Sequence, residues 1–442
     1  MASVFGSLTK IPELRKRILF TIMMLGIYRI GVFVTVPGVD REVVDKFFGS
    51  SSGSLFSLFN MFSGGALRQM SIFALGIMPY ISSSIIFQLL AVVIPSLERL
   101  QKEGEMGRRK ITQYTRYGTI VLAIVQGFGV ALWLESQRTN LGEALVPDAG
   151  WGFRMMTIMS LAAGTAFIMW LGEQITERGI GNGMSLLITF SILERLWPGM
   201  LQLFSLIKGG VVSPIGAIFY LAVLVAVIAL TTMMTIAARR IPIQIPRKVM
   251  GRGRIREGQK TFIPIRLLTA SVMPIIFAQT IIIVPGTVAS FTKSPLLRDV
   301  AGFFNPGSLP YSVVFSVMVL LFSYFYTSII FNSVDVAENL KKQGGFIPGV
   351  KPGASTADYI DDVLVRITLP GAIFLAAIAL VPIFISARIG VQQQFGGTSV
   401  LIVVGTLLDT LSQVEQHRQL RKYDGFMKSG RVKFRGRQQR FI

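Results

Sequence analysis

The 442-residue chain contains no cysteine and a single histidine, His417. Without cysteine there is no disulfide framework, no thiolate metal site and no thiol nucleophile. One histidine builds neither a metal centre nor a histidine proton relay. No G-x-x-x-x-G-K-[ST] sequence is present, which excludes the usual phosphate loop of an ATP-hydrolysing chain. RGIGNG at 178–183 is rich in glycine, but it follows an apolar run rather than a strand and reads as a flexible turn. No nucleophile–base pair can be assembled from what remains, so the chain reads as something other than an enzyme and calls for no cofactor. Acidic residues are also scarce, with 23 Asp and Glu against 44 Lys and Arg, a net charge of +21. Glu135, Glu173, Glu194 and Asp409 fall at the ends of apolar runs rather than inside them. Coupled transporters carry carboxylates near the bilayer midplane. Their absence argues against the competing reading, an inverted-repeat secondary transporter, and suits a conduit that does not bind what passes through it.

What is abundant is apolar sequence, 51% of residues with a mean hydropathy of +0.59. Runs long enough to cross a bilayer as helices recur along the chain. They predict ten spans, near 18–36, 72–94, 117–134, 155–172, 184–204, 214–237, 267–284, 311–331, 367–385 and 398–411. The fifth is interrupted by Glu194, Arg195 and Pro198, and the first carries Arg29, which must snorkel or find a partner. The basic start (Lys10, Arg15, Lys16, Arg17) ahead of the run from Ile18 resembles a signal peptide. It lacks a small-residue cleavage site and reads as a retained first span.

Basic residues test this count. The N-terminus, the loops after even-numbered spans and the C-terminal tail hold about 33 Lys and Arg, whereas the loops after odd-numbered spans hold about 10. Both termini are therefore expected in the cytoplasm. Ten spans divide into halves of five, residues 1–206 and 207–417, followed by a basic tail at 418–442. An odd number per half makes related halves inverted relative to each other. The fold class is accordingly an all-α membrane protein of ten transmembrane helices.

One stretch is awkward, 55–90. Its second part is a span in which Ile77, Ile81 and Ile85 share a face and Pro79 is expected to introduce a kink. Its first part is too apolar for a loop, too short to cross, and broken by Gly64 and Gly65. Such a segment survives at membrane depth only if buried in protein or facing an aqueous cavity. Together they point to a pore with something folded into it; packing or lipid contact also accounts for the stripe. On the cytoplasmic side, 239–266 reads as a hairpin-like finger with a net charge of about +8. The segment 332–366 contains GGFIPGVKPG, a rigid bend presenting Lys351. The tail at 418–440 reads as polar and poorly ordered. Attraction to anionic membrane lipids accounts for part of this charge, and a large anionic partner accounts better for the finger.

Five motifs carry a resemblance over nearly the whole chain: ALGIMPYISSSIIFQLL at 74–90, KEGEMGRRKITQYTRYGT at 102–119, LGEQITERGIGNGMS at 171–185, FIPGVKPG at 346–353 and FGGTSVLIVVG at 395–405. They resemble the channel subunit of the bacterial Sec translocon, the SecY family. The resemblance implies two pseudo-symmetric inverted halves around a central pore in the plasma (inner) membrane. It implies passage of unfolded secretory polypeptides and sideways release of signal sequences and membrane helices into lipid. Its implied partners are small membrane subunits like SecE and SecG, the motor ATPase SecA and the ribosome. Carried onto this chain, a plug near 59–70 includes Phe59, Asn60, Met61, Phe62, Ser63, Gly64, Gly65, Ala66, Leu67 and Arg68. A pore ring falls on Ile81, Ile85, Ile188, Ile192, Ile276 and Ile402. A lateral gate involves Ser82, Gln88 and Val284, with Ser82 and Val284 expected to face each other. Docking of cytoplasmic partners falls on Arg247, Lys248, Arg252, Arg254, Arg256 and Lys351. The family often has Arg where this bend has Lys351, which keeps the charge without the bidentate fork. A narrow ring of branched apolar side chains blocks ions by dewetting and yields to a chain of any sequence.

Overall fold

The computed structural model describes residues 12–39, 44, 63–137, 145–244, 249–250, 254–255, 260–268, 272–291, 308–389 and 396–429. The first five-span half consists of α1 (Pro12–Val32), α2 (Met78–Val93), α3 (Pro95–Lys102), α4 (Glu105–Ser136), α5 (Trp151–Arg178), α6 (Gly183–Glu194) and α7 (Leu196–Lys208). The second consists of α8 (Pro214–Ile236), α9 (Met273–Phe291), α10 (Leu309–Ile330), α11 (Ser333–Lys342), α12 (Ala354–Ile389) and α13 (Gly397–Ser429). Between α8 and α9 stand β1 (Ala238–Gln244), β2 (Val249–Met250), β3 (Arg254–Ile255) and β4 (Lys260–Arg266).

Among the described residues, six helical stretches are each long and apolar enough to cross a membrane, on α4, α5, α8, α10 with α11, α12 and α13. The pair α2–α3, bent by 101°, makes a seventh. The other three expected spans correspond to α1, to the two-piece α6–α7 and to α9. Helix starts follow local chemistry. Ser213 caps α8 by accepting from the Gly216 amide at 3.1 Å, and Ser308 caps α10 by accepting from the Tyr311 amide at 3.2 Å. Each cap is followed by proline in the first turn, where no amide is missed.

The packing pattern itself displays the two halves. In the first, α2 packs on α4, α4 on α5, α5 on α6, and α1 on α5. In the second, α9 packs on α10, α10 on α12, α12 on α13, and α8 on α12. These four contacts have counterparts five spans later; α8 also packs on α13, a contact that the first half does not match to the same extent among the described residues. The halves meet along three seams: α7 with α8, α6 with α13, and α9 with both α2 and α4. The largest apolar cluster draws side chains from both halves, so the core lies where they face each other.

Five local expectations change. The second span begins later than its apolar run, because residues 72–77 form turns and the helix starts at Met78. Pro79 therefore opens α2 instead of kinking it, since its missing amide and fixed φ suit a first turn. The sharp bend lies at Ile94, just before Pro95, which opens α3. RGIGNG is a tied turn rather than a flexible one. The Ile180 amide donates to Thr21 Oγ1 at 3.2 Å, the Gly181 amide to Gln413 Oε1 at 3.1 Å and the Gly183 amide to Thr176 Oγ1 at 2.9 Å. These bonds join α1, α5 and α13 to the start of α6. Gly183 admits no side chain, because a Cβ would lie 1.9 Å from the Gly172 carbonyl oxygen. Glu194 lies at the junction of α6 and α7, inside the fifth membrane segment rather than at its end, where it forms an ion pair with Arg29 of α1. That pair answers the demand of both half-buried charges at once. Finally, α13 continues to Ser429, so the first part of the basic tail is helical.

Candidate functional site

The six ring isoleucines come from four helices and converge. Ile81 and Ile85 on α2, Ile188 and Ile192 on α6, Ile276 on α9 and Ile402 on α13 are all buried, none more than 7% exposed. All six belong to the central cluster, together with Ile77 at the start of α2. A 3.6-residue period turns Ile81 and Ile85 to one side of α2, and Ile188 and Ile192 to one side of α6. No single helix supplies more than two of the six, so only the assembly of both halves brings them together.

A cavity of about 430 Å³ opens against this cluster. Ile81, Ile188 and Ile276 line it, and its polar lining includes Ser84, Gln88, Arg116, Glu173 and Asn182. Arg116 Nε donates to Glu173 Oε1 at 2.7 Å, which fixes a charged pair in the lining. A neighbouring cavity of about 390 Å³ shares Asn182, Ser185 and Met273 and is bordered by Arg266 and Asp409, 3.7 Å apart. The two form a vestibule in which polar side chains lie beside branched apolar ones. Glu194 lines neither cavity.

Also against the cluster sits the segment expected to plug it. Phe59, Asn60, Met61 and Phe62 lie outside the described residues. Ser63, Gly64, Ala66 and Leu67 are buried, Gly65 is half-buried and Arg68 is exposed. Ala66 belongs to the same cluster as the ring isoleucines. The segment is a series of turns, with the Ala66 amide donating to the Ser63 carbonyl at 3.2 Å and the Met70 amide to the Leu67 carbonyl at 3.0 Å. Gly64 and Gly65 adopt φ of 62° and 83°, a region open to glycine at little cost. The segment is stitched to the end of α1: the Val36 amide donates to the Met70 carbonyl at 2.8 Å and the Ile72 amide to the Val34 carbonyl at 2.9 Å. Burial and backbone pairing answer the problem posed by non-helical chain at membrane depth.

At the seam between α2 and α9 the two helices touch. Thr280 Oγ1 lies 4.0 Å from Met78 Sδ. Further along, the Tyr326 hydroxyl of α10 donates to Gln88 Oε1, while Gln88 Nε2 donates to Ser84 Oγ at 2.8 Å. Gln88 thus joins the two halves through Tyr326, which sequence reasoning missed. The readable signal was the same for both residues, a polar group on an apolar span. Ser82 is half-buried on α2. Val284 lies on α9 with its side chain outside the described residues; the side-chain contact of Met78 with Thr280 is one of several between α2 and α9.

The finger is a two-stranded antiparallel ribbon, with Ala238 opposite Arg266 and Gln244 opposite Lys260. Pro242 and Pro264 are tolerated because each strand has a free edge. Ile241 and Ile265 pack with Ile347 of the bend and with Ile360 and Leu364 of α12. The Gln244 amide donates to the Phe346 carbonyl at 2.9 Å, and the Phe346 amide returns a bond at 3.0 Å. Finger and bend, read separately in the sequence, therefore share one rigid root. Lys351 is exposed beyond it, between Gly349 and Gly353 at φ of 85° and 112°. Arg254 stands on β3 with its side chain outside the described residues, and Arg247, Lys248, Arg252 and Arg256 lie outside them altogether.

A helical membrane protein of two inverted halves, with a vestibule lined in part by apolar side chains from both, is a channel-class architecture. Comparison with known proteins places it. The SecY family model matches residues 71–411. The protein translocase subunit SecY of Aquifex aeolicus is 41% identical over 97% of this chain and all of its own length. That of Thermus thermophilus is 43% identical over 99% of this chain and all of its own. That of Escherichia coli K12 is 42% identical over 96% of each. Among solved structures, one described as a protein conducting channel superposes with a TM-score of 0.66 at 17% identity, covering 95% of both chains. Sec61 from a canine ribosome-channel complex gives 0.62 at 16%, again covering 95% of both. The chain belongs to the SecY family.

Proposed function

We propose that this chain is the protein-conducting subunit of a bacterial Sec-type translocon, passing unfolded secretory polypeptides across the plasma membrane and releasing signal sequences and membrane helices sideways into lipid. The observation that carries this reading is the vestibule lined in part by Ile81, Ile188 and Ile276, with Ala66 of a buried non-helical segment packed into the same cluster. A transporter of the inverted-repeat class needs polar groups converging on a substrate at the midplane; here that place is filled by isoleucine.

In this reading the six isoleucines, with Ile77 beside them, form the constriction, and 59–70 is the plug. The seam of α2 with α9 and α10 is the lateral gate, with Gln88 on its inner face and Ser82 and Val284 on its two walls. Both termini, the finger and the Lys351 bend face the cytoplasm, as the distribution of basic residues requires. The finger arginines and Lys351 then meet the ribosome or the SecA motor, which supply the driving force, and small SecE- and SecG-like subunits complete the channel. Ribosome-bound relatives, Sec61 of the canine complex and Ssh1 of the idle yeast complex, share this fold.

The test is reconstitution in lipid bilayers with and without residues 59–70. Deletion should raise resting ion conductance while precursor transport in the presence of partners persists. Unchanged conductance would refute the sealing role.

A further inference from the structure

Tyr28 lies in the middle of the core with no exposed surface. Its hydroxyl is 2.8 Å from Ser191 Oγ and 3.2 Å from the Ser63 carbonyl oxygen. Ser191 Oγ in turn lies 2.9 Å from the Leu187 carbonyl, within its own helix. Gly64, next to Ser63, sits directly on Ser191: a Cβ there would lie 3.1 Å from both Cβ and Oγ of that serine. The Tyr28 ring is itself fixed, stacked on Phe73 with centroids 5.8 Å apart and met edge-on by Phe190 at 6.4 Å. One residue further along α1 and three further along α6, Arg29 and Glu194 form the ion pair that holds α1 against α6. A hydroxyl on α1, a hydroxyl on α6 and a backbone carbonyl of the sealing segment thus meet at one buried point, adjacent in sequence to the ring residue Ile192.

From this geometry we propose that Tyr28 and Ser191 are positioning residues that seat the sealing segment, the Tyr28 hydroxyl holding it by the Ser63 carbonyl; this rests on the sealing role assigned to 59–70 above. The Ser63 carbonyl also accepts from the Ala66 amide within the segment; the Tyr28 hydroxyl is the bond that ties it to α1, and its loss weakens the seat by about one hydrogen bond. With the segment seated, the Ser191 hydroxyl meets the Tyr28 hydroxyl and holds it toward the Ser63 carbonyl. The cost of release is then about one neutral hydrogen bond, small enough for an entering chain to offset. Glycine at 64 is what allows the approach, because any side chain there would meet Ser191.

The experiment measures potassium chloride conductance of the full chain in planar bilayers of phosphatidylethanolamine and phosphatidylglycerol. The variants are Tyr28→Phe, Ser191→Ala, the pair together, and each in a background lacking residues 59–70. Tyr28→Phe keeps the ring stack and removes only the hydroxyl. Each single change should raise the resting open fraction about fivefold, the value of one lost hydrogen bond. The double variant should exceed neither single by as much as a second factor of that size, and no change should add to the deletion. Wild-type conductance in both singles, with raised conductance in the deletion, would overturn the seat while leaving the seal. A rise of equal size in the deletion background would also overturn it, because the effect would then be a general loosening of the helices. No effect of the deletion itself would refute the sealing role and this inference with it.

Discussion

Removing the Tyr326 hydroxyl should loosen the gate by an amount the structure fixes. Tyr326 donates to Gln88 across the seam, and its ring meets Phe277 at 4.8 Å between centroids in an edge-on arrangement. Tyr326→Phe keeps the ring contact and the buried apolar area and deletes one neutral hydrogen bond. Such a bond contributes about 1 kcal/mol, so the closed state should lose about fivefold against the open one. Gln88 keeps its bond to Ser84 and is only half-buried, so water can replace the lost donor and the fold should stand. The assay is export of a precursor whose signal sequence has been weakened, measured alongside an intact precursor. The weakened precursor should gain about fivefold, because a substrate that binds the open gate poorly is limited by how often the gate opens. The intact precursor should change little. Gln88→Leu should give the same gain, and the double variant no more than either alone, since both remove the same bond across the seam and the bond to Ser84 lies within α2. Unaltered export of the weakened precursor in both singles would refute the argument, as would additive gains.

Other expectations follow from the same geometry. Met78→Cys with Thr280→Cys, bridged by a short bifunctional thiol reagent in a chain with no other thiol, should stop both export and membrane insertion until the link is cleaved; continued transport through a linked channel would show that this seam does not open. Ile276→Asn places a hydrogen-bonding group in the constriction, and resting ion conductance should rise several-fold because a polar wall holds water where isoleucine expels it; a silent channel would exclude Ile276 from the ring. Lys351→Glu with Arg254→Glu should weaken ribosome or motor binding at low salt, the difference shrinking as ionic strength approaches 1 M, where the screening length is about 3 Å; equal binding at low salt would remove the finger and bend from the docking surface. Reporter fusions at Gly253 and the C-terminus should report the same side and one at Gly307 the opposite side, any other pattern refuting the ten-span topology.

The apolar spans and the division into two halves were legible in the sequence because they depend on properties summed over many residues, as does the sidedness it leads one to expect. A run of twenty apolar side chains has one low-energy home, and a Lys or Arg count across loops averages out local accidents. The finger was legible for a related reason, since alternation in IPIQIP and KTFIPI fixes which edge pairs with which. Helix ends were less so: Pro79 reads as a kink or as a start depending on whether the preceding turn is helical, and only the buried turns of 72–77 settle that. The six isoleucines could be named from a resemblance, but no property of α2 alone distinguishes Ile81 as a constriction from Ile81 as packing. That distinction exists only when α6, α9 and α13 bring their own isoleucines to the same point. The partners of lone polar groups were out of reach for the same reason. Arg29 announced a need, yet Glu194 lies far along the chain, and Gln88 gave no hint of Tyr326 on the other half. Short-range chemistry writes the elements, whereas the choice among distant partners belongs to the packing of whole helices, which the chain determines only by folding.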